Sequence, residues 1–99
     1  MGVHIIGGVQ QIVLYAVRKL GDGAYGVSIQ KEILEATGSD ISFGTIYSSL
    51  ERLEGHGLVT SRMGEATKER GGRAKKYFDI TQDGIWALAR HERDMEALR

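Results

Sequence analysis

A connection of only three residues, 39–41, separates two segments in which apolar side chains recur at helical spacing. The first of these predicted helices spans residues 25–37 and is stopped by Gly38, and the second spans about residues 42–54. Because so short a link forces the second helix to turn sharply off the first, the pair is predicted to form a helix-turn-helix. No other feature of the sequence narrows the choice of fold as much.

The segments on either side of this pair complete the predicted fold. Apolar spacing indicates a first helix that reaches from about residue 5 to residue 20, and a last helix that starts after Thr81 and runs to the C-terminus. Residues 58–63 and 74–81 have strand-like composition, which predicts an antiparallel hairpin with a long tip. We therefore expect one mostly α domain with a small β-hairpin over residues 1–99. It divides into a winged helix-turn-helix at about residues 9–80 and a C-terminal dimerisation helix at about residues 81–98.

Composition and spacing exclude several classes of function. The chain has no cysteine, and its histidines, His4, His56 and His91, fall on three different predicted elements, so no metal site or catalytic pair is expected. The glycines of residues 21–26 match a dinucleotide-binding pattern, but they follow a helix rather than a strand. No apolar run approaches the roughly 18 residues of a membrane span, and the N-terminus lacks a secretory signal. We expect a cytoplasmic protein that is not an enzyme, with no cofactor, no metal and no membrane partner.

The second helix of the pair divides into an apolar face and a polar face. Apolar residues at spacings of three, four and three predict its buried face: Phe43, Ile46, Leu50 and Leu53. Mostly short hydrogen-bonding residues are predicted to face outward: Thr45, Ser48, Ser49 and Arg52. Because a solvated helix face more often carries Glu and Lys, this composition favours a helix that enters a groove. Ser42 is the predicted N-cap.

Positive charge is concentrated on the predicted hairpin although the whole chain has a net charge of zero. Within residues 68–76 only Glu69 is acidic, which leaves a local excess of +4. The basic residues of this cluster are Lys68, Arg70, Arg73, Lys75 and Lys76. Such a stripe is typical of a nucleic-acid contact even in a neutral molecule, and the alternative is a solvated loop.

Apolar residues occur along the last helix as far as its C-terminal end, where little of the same chain remains to pack against them. Together with one histidine they follow a near-heptad spacing: Ile85, Leu88, His91, Met95 and Leu98. The first helix also has an apolar stripe. Together the two stripes predict a two-fold homodimer. Its predicted interface residues are Ile5, Val9, Ile12, Leu88, His91, Met95 and Leu98. The alternative is packing within one chain, which would suffice for the proximal half of the last helix only.

Several short motifs occur in a fixed order along the chain. They are AYGV at 24–27, GTIY at 44–47, RLE at 52–54, GLV at 57–59, GRAKKYF at 72–78 and ITQDG at 80–84. In this order they resemble the PadR family of transcriptional regulators, over about residues 9–88. Many members have proline where this chain has Phe43 or Gln82. Both are first-turn helix positions where proline is optional, so the expected fold is unaffected.

The resemblance implies a prokaryotic, dimeric DNA-binding protein of the repressor type. In such proteins the third helix, here the one predicted at about residues 42–54, enters the major groove. The hairpin, called the wing, contacts the flanking DNA backbone. The residues expected at DNA are Ser42, Gly44, Thr45, Tyr47, Ser48, Ser49 and Arg52 on the helix and Lys68, Arg70, Arg73, Lys75 and Lys76 on the wing. Gly44 permits close backbone approach, and Ser42 with the helix N-terminal amides contacts phosphate. Tyr47 is the motif tyrosine, which is implied to bond a phosphate. Its alternative role is a buried ring with only the hydroxyl exposed.

The resemblance also implies a small aromatic or drug-like effector, which some members bind at their dimer interface. Trp86, the single tryptophan, fits either core and interface packing or a flat aromatic wall for a planar effector. The alternative function is a winged-helix protein–protein adaptor. An adaptor would present an apolar outward face on the third helix, whereas the face predicted here is polar.

Overall fold

The computed structural model describes residues 7–64 and 75–99, and this part of the chain contains four helices, a short 3-10 turn and one two-stranded hairpin. The elements are α1 (Gly8–Leu20), a 3-10 turn (Gly21–Gly23), α2 (Gly26–Thr37), α3 (Phe43–Gly55), β1 (Val59–Met63), β2 (Lys76–Ile80) and α4 (Gln82–Ala97). β1 and β2 are antiparallel, with Val59 opposite Ile80 and Met63 opposite Lys76. The predicted mostly α fold with a small hairpin is confirmed. Four residues with predicted roles, Ile5, Lys68, Arg70 and Arg73, lie outside the described residues.

Side-chain caps fix where α3 and α4 begin. Ser42 Oγ accepts a hydrogen bond from the Thr45 backbone N–H at 3.2 Å, and Thr81 Oγ1 accepts one from the Gly84 backbone N–H at 3.0 Å. Each bond satisfies an N–H that has no partner within its helix. Both predicted N-caps are therefore confirmed. Gly38 ends α2 with a φ of 78°, a left-handed conformation that glycine adopts without strain.

The core forms where α1, α2, α3, α4 and the hairpin meet. Its largest fully buried side chains are Val13, Leu14, Val17, Ile29, Ile46, Leu50, Leu53, Leu58, Val59 and Leu88. Three of the four residues on the predicted apolar face of α3 belong to it. For the fourth, Phe43, the prediction of burial is wrong, because 43% of this residue is exposed. Phe43 is the first residue of α3, whereas α3 packs on the core through its later turns.

Two residues near its start anchor α4 on the core. Gly84 lies against the Leu58 carbonyl so closely that a side chain there would overlap this carbonyl. Leu88, one turn later, is fully buried within its own subunit. Its predicted place in a dimer interface is therefore wrong, because the core of the same chain already covers it. Packing within one chain therefore accounts for the side of the proximal half that carries Gly84 and Leu88, whereas Ile85 and Trp86 in the same half stay exposed.

In the distal half of α4, the exposure of the side chains increases toward the C-terminus. His91 is half-buried against α1, with Nδ1 3.2 Å from Gln11 Nε2 and its ring edge-on to Tyr15 at a centroid distance of 6.1 Å. Beyond it, Met95 is 48% exposed and Leu98 is 79% exposed. The predicted dimer residues of α1, Val9 and Ile12, are also partly exposed. Part of the apolar surface that one chain leaves open thus lies on α1 and at the C-terminal end of α4.

Candidate nucleic-acid interface

The outward side of α3 carries short polar groups. Thr45, Ser48 and Arg52 are all exposed, which is the orientation predicted for them. Ser48 Oγ donates to the Thr45 carbonyl at 3.1 Å, so the helix itself holds this hydroxyl in place while its lone pairs stay accessible. Within the described residues Arg52 forms no ion pair. This face therefore presents a guanidinium and oriented hydroxyl groups to whatever approaches it.

One acidic residue, Glu51, belongs to the same side of α3, although it was not among the residues predicted to face outward. Glu51 is exposed three residues after Ser48 and next to Arg52. Residues three apart are neighbours on a helix surface, so the position of Glu51 beside Ser48 could have been predicted from the sequence. A carboxylate in a major groove accepts a hydrogen bond from the N4 amino group of cytosine, and Glu51 is therefore compatible with a surface that reads bases.

Ser49 does not belong to this face, and its predicted role in DNA contact is wrong. It is only 5% exposed, and its Oγ donates to the Thr45 carbonyl four residues earlier at 2.8 Å. Because that bond satisfies the hydroxyl inside the helix, burial of Ser49 leaves no polar group without a partner. The outward polar face of α3 is therefore narrower than predicted from the sequence.

Tyr47 lies where α3 meets the start of α2. It is 43% exposed, and its ring lies over Gly26 so closely that a Cβ atom at Gly26 would overlap the Tyr47 hydroxyl and Cζ. The ring is thus held against α2 while part of it stays accessible. Gly44, by contrast, has no heavy atom within 4 Å of the place where a Cβ would stand, which leaves room for close approach to the backbone.

The base of the wing places two of the five predicted cations on the surface. Lys75 lies just before β2 and Lys76 is the first residue of β2, and both are exposed. The Lys76 Nζ stands 5.6 Å from the ring centroid of Phe78, which lies two residues further along the same strand face. The hairpin continues one step beyond its strands, since the Gly64 N–H donates to the Lys75 carbonyl at 2.7 Å.

A group of packed side chains that was not predicted from the sequence connects the wing to the rest of the domain. Arg62 lies 4.9 Å from the ring centroid of Tyr77, its partner in the strand register, and its Nε donates to Asp79 at 2.8 Å. This hydrogen bond raises the pKa of Arg62. Tyr77 in turn meets the ring of Tyr25 edge-on at a centroid distance of 5.4 Å. The backbone supports the same junction, because the Phe78 N–H donates to the Ala24 carbonyl at 2.8 Å.

The structure also bears on the other predicted sites. Trp86 is 62% exposed, so core packing within the subunit does not explain it. In the described part of the chain, no group of His, Asp or Glu side chains is arranged to hold a metal ion. Nor is any helix among residues 7–64 and 75–99 both long and apolar enough for a bilayer.

Comparisons with known proteins agree with the observed architecture. A family model described as the transcriptional regulator PadR-like family matches residues 13–90 of the chain. Among solved structures, a transcriptional regulator from Clostridium thermocellum is 33% identical, with a TM-score of 0.75 over 91% of this chain and 84% of that one. A PadR family transcription regulator from hypervirulent Clostridium difficile R20291 has a TM-score of 0.76 at 24% identity, over 93% of this chain and 91% of that one, and there the likeness concerns the fold. No curated protein sequence matches the chain.

Proposed function

The chain belongs to the PadR-like family of transcriptional regulators, and on that premise we propose that it binds a near-palindromic operator as a homodimer and represses transcription. One observation carries this proposal: the exposed side of α3 is polar, with the hydroxyl groups of Thr45 and Ser48 beside the guanidinium of Arg52. Short polar side chains let a helix enter a major groove and bond to base edges. A protein–protein adaptor would instead expose apolar side chains at these positions.

Within this proposal the DNA-binding residues divide by role. Side chains of α3 read or approach bases: Thr45, Ser48 and Arg52. Other residues, on the N-terminal part of α3 and on the wing, bind phosphates and so place the protein on the duplex: Ser42, Tyr47, Lys75 and Lys76. Gly44 lets the backbone come close because the space around it is open. Lys68, Arg70 and Arg73 extend the positive stripe in the sequence, outside the described residues.

The proposed dimer uses the apolar surface that one chain leaves open. Val9 and Ile12 on α1 and Met95 and Leu98 on α4 are the exposed residues that support it. Two recognition helices related by two-fold symmetry would meet half-sites about one helical turn apart, roughly 34 Å. Trp86 is exposed, and we propose it as a wall of a site for a small aromatic effector that releases DNA.

A mobility-shift assay on the DNA upstream of this protein's own gene tests the proposal, with a random duplex of equal length as the reference. We expect tighter binding to the upstream fragment and displacement of the complex as salt increases. Equal binding to both duplexes at every salt concentration would contradict sequence-specific regulation through that fragment.

Neutralising the described cations of the wing tests their contact with phosphates. In a Lys75→Ala/Lys76→Ala variant we expect the slope of log affinity against log salt to fall by about 1.8, since each lost phosphate contact removes about 0.9. Affinity should weaken on all sequences alike, because phosphates carry no sequence information. An Arg18→Ala/Lys19→Ala variant is the matched control. Its two cations are already paired, with Glu92 at 3.1 Å and Glu32 at 2.8 Å. An unchanged slope in the wing variant would remove Lys75 and Lys76 from the interface.

A Gly26→Ala variant tests whether the position of the Tyr47 ring matters for DNA binding. The added methyl group would displace the Tyr47 ring, and we expect DNA affinity to fall about three- to tenfold, the range expected for one lost hydrogen bond. Gly55→Ala is the control, because Gly55 also lies in a helix and has open space around it. If both variants bind DNA like the parent protein, the position of Tyr47 does not matter for binding.

A further inference from the structure

The ammonium group of Lys75 is held by an aromatic ring from another part of the chain. Its Nζ stands 4.5 Å from the ring centroid of Tyr25 and 3.5 Å from the Tyr25 hydroxyl. A cation within about 6 Å of a ring centroid is attracted by the negative face of the ring. A lysine on the surface ordinarily samples many rotamers, and this contact favours the ones that keep the ammonium over Tyr25.

This interaction leaves the charge of Lys75 available to an anion. Arg62, the other cation of the packed group, is neutralised by Asp79 and also donates to the Asp22 carbonyl at 3.0 Å. Lys75 has no carboxylate within ion-pair distance in residues 7–64 and 75–99. A ring orients an ammonium group without cancelling its charge, whereas a carboxylate does cancel it. Of the two cations at this junction, Lys75 is therefore the one suited to a phosphate.

The backbone connects this ammonium to the proposed recognition surface. Tyr25, which holds Lys75, is followed directly by Gly26, which lies under the ring of Tyr47 on α3. Two features fix Tyr25 itself. Its N–H donates to Ser28 Oγ at 2.9 Å, and it is paired with Tyr77 of β2 in an antiparallel bridge, in which the Phe78 N–H donates to the Ala24 carbonyl. Two adjacent residues at the start of α2 thus set the positions of Tyr47 and Lys75 relative to each other.

We propose that Tyr25 is a positioning residue for DNA binding, whose ring holds the Lys75 ammonium where it contacts a phosphate of the duplex. The proposal rests on the DNA-binding function proposed above and adds to it a residue that does not itself contact DNA. Tyr25 acts through Lys75 alone. Its removal therefore matters only while Lys75 is present, and Lys76, which contacts the Phe78 ring instead, is not affected.

A double-mutant cycle on the upstream DNA fragment tests this statement. Binding is measured by fluorescence anisotropy for the parent protein, Tyr25→Leu, Lys75→Ala, Lys76→Ala and the two double variants. Tyr25→Leu is expected to weaken binding about two- to fivefold in the parent and equally in the Lys76→Ala protein. In the Lys75→Ala protein the same substitution is expected to change affinity by less than about 1.5-fold, because the two residues are coupled.

Tyr25 also packs on Tyr77, so a second series keeps its size constant. Phenylalanine and its mono-, di- and trifluorinated analogues at position 25 progressively weaken the negative ring face with little change in shape. Affinity should fall stepwise with fluorination in the parent and stay constant in the Lys75→Ala protein. Equal losses from Tyr25→Leu in the Lys75→Ala and Lys76→Ala proteins, or affinity independent of fluorination, would overturn the positioning role. If the parent protein binds no duplex, the proposed function itself fails, which is a different result.

Discussion

A Leu88→Ala variant is expected to lose about 2–5 kcal/mol of unfolding free energy, the range measured when a buried leucine is truncated. Leu88 is fully buried, so the substitution leaves a cavity that neighbouring side chains fill only in part. Domains of this size are stable by roughly 5–15 kcal/mol in total, so the loss is a large share of what holds the fold together. Urea unfolding followed by circular dichroism measures it, at two protein concentrations to separate folding from association.

Leu98→Ala is the matched control, because it makes the same chemical change at the C-cap of the same helix. Leu98 is 79% exposed, so the subunit should lose less than about 0.5 kcal/mol. Its effect should appear instead in the monomer–dimer equilibrium measured by analytical ultracentrifugation. Equal losses of subunit stability in the two variants would contradict the assignment of Leu88 to the core and Leu98 to the proposed interface.

These two leucines show what periodicity in a sequence can establish. Leu88 and Leu98 belong to one near-heptad series, and the series correctly predicted a helix with an apolar stripe. Spacing alone gives no indication of whether a stripe is covered by its own chain or by a second subunit. That depends on where Gly84 packs against the Leu58 carbonyl and on how far α4 then extends beyond the core. These are properties of the assembled domain.

Ser49 shows a similar limit at the edge of an amphipathic helix. Polarity predicted an exposed residue, but a serine can bond to the carbonyl four residues earlier and so enter a core at little cost. The N-caps were predictable because a cap joins residues only three apart, as Ser42 and Thr45 do. The contact between Tyr25 and Lys75 joins residues fifty apart. It depends on the hairpin register and on the bridge between Tyr25 and Tyr77, which local patterns do not encode.

Ser48→Glu is expected to abolish measurable binding to the upstream fragment, with a loss of about 100-fold or more. Ser48 is exposed in the middle of the polar side of α3, where a second carboxylate beside Glu51 would add negative charge to the face that enters the groove between two rows of phosphates. Like charges brought together across an interface cost several kcal/mol. The new carboxylate would also stand four residues before Arg52, the spacing at which an acid pairs with a base on a helix, and would draw the guanidinium away from DNA. The fold should be unaffected, since glutamate is a good helix former.

Two further variants separate the possible reasons for such a loss. Ser48→Gln adds nearly the same volume without charge and should weaken binding by less than about fivefold, roughly 1 kcal/mol. Gln82→Glu adds the same charge at the start of α4, an exposed position where a carboxylate favours the helix end, and should leave binding nearly unchanged. Anisotropy titrations on the upstream and random duplexes measure all three variants beside the parent. If Ser48→Glu binds within about threefold of the parent, α3 does not enter the groove by this face. If Gln82→Glu weakens binding as much as Ser48→Glu does, overall charge rather than a specific contact governs the affinity.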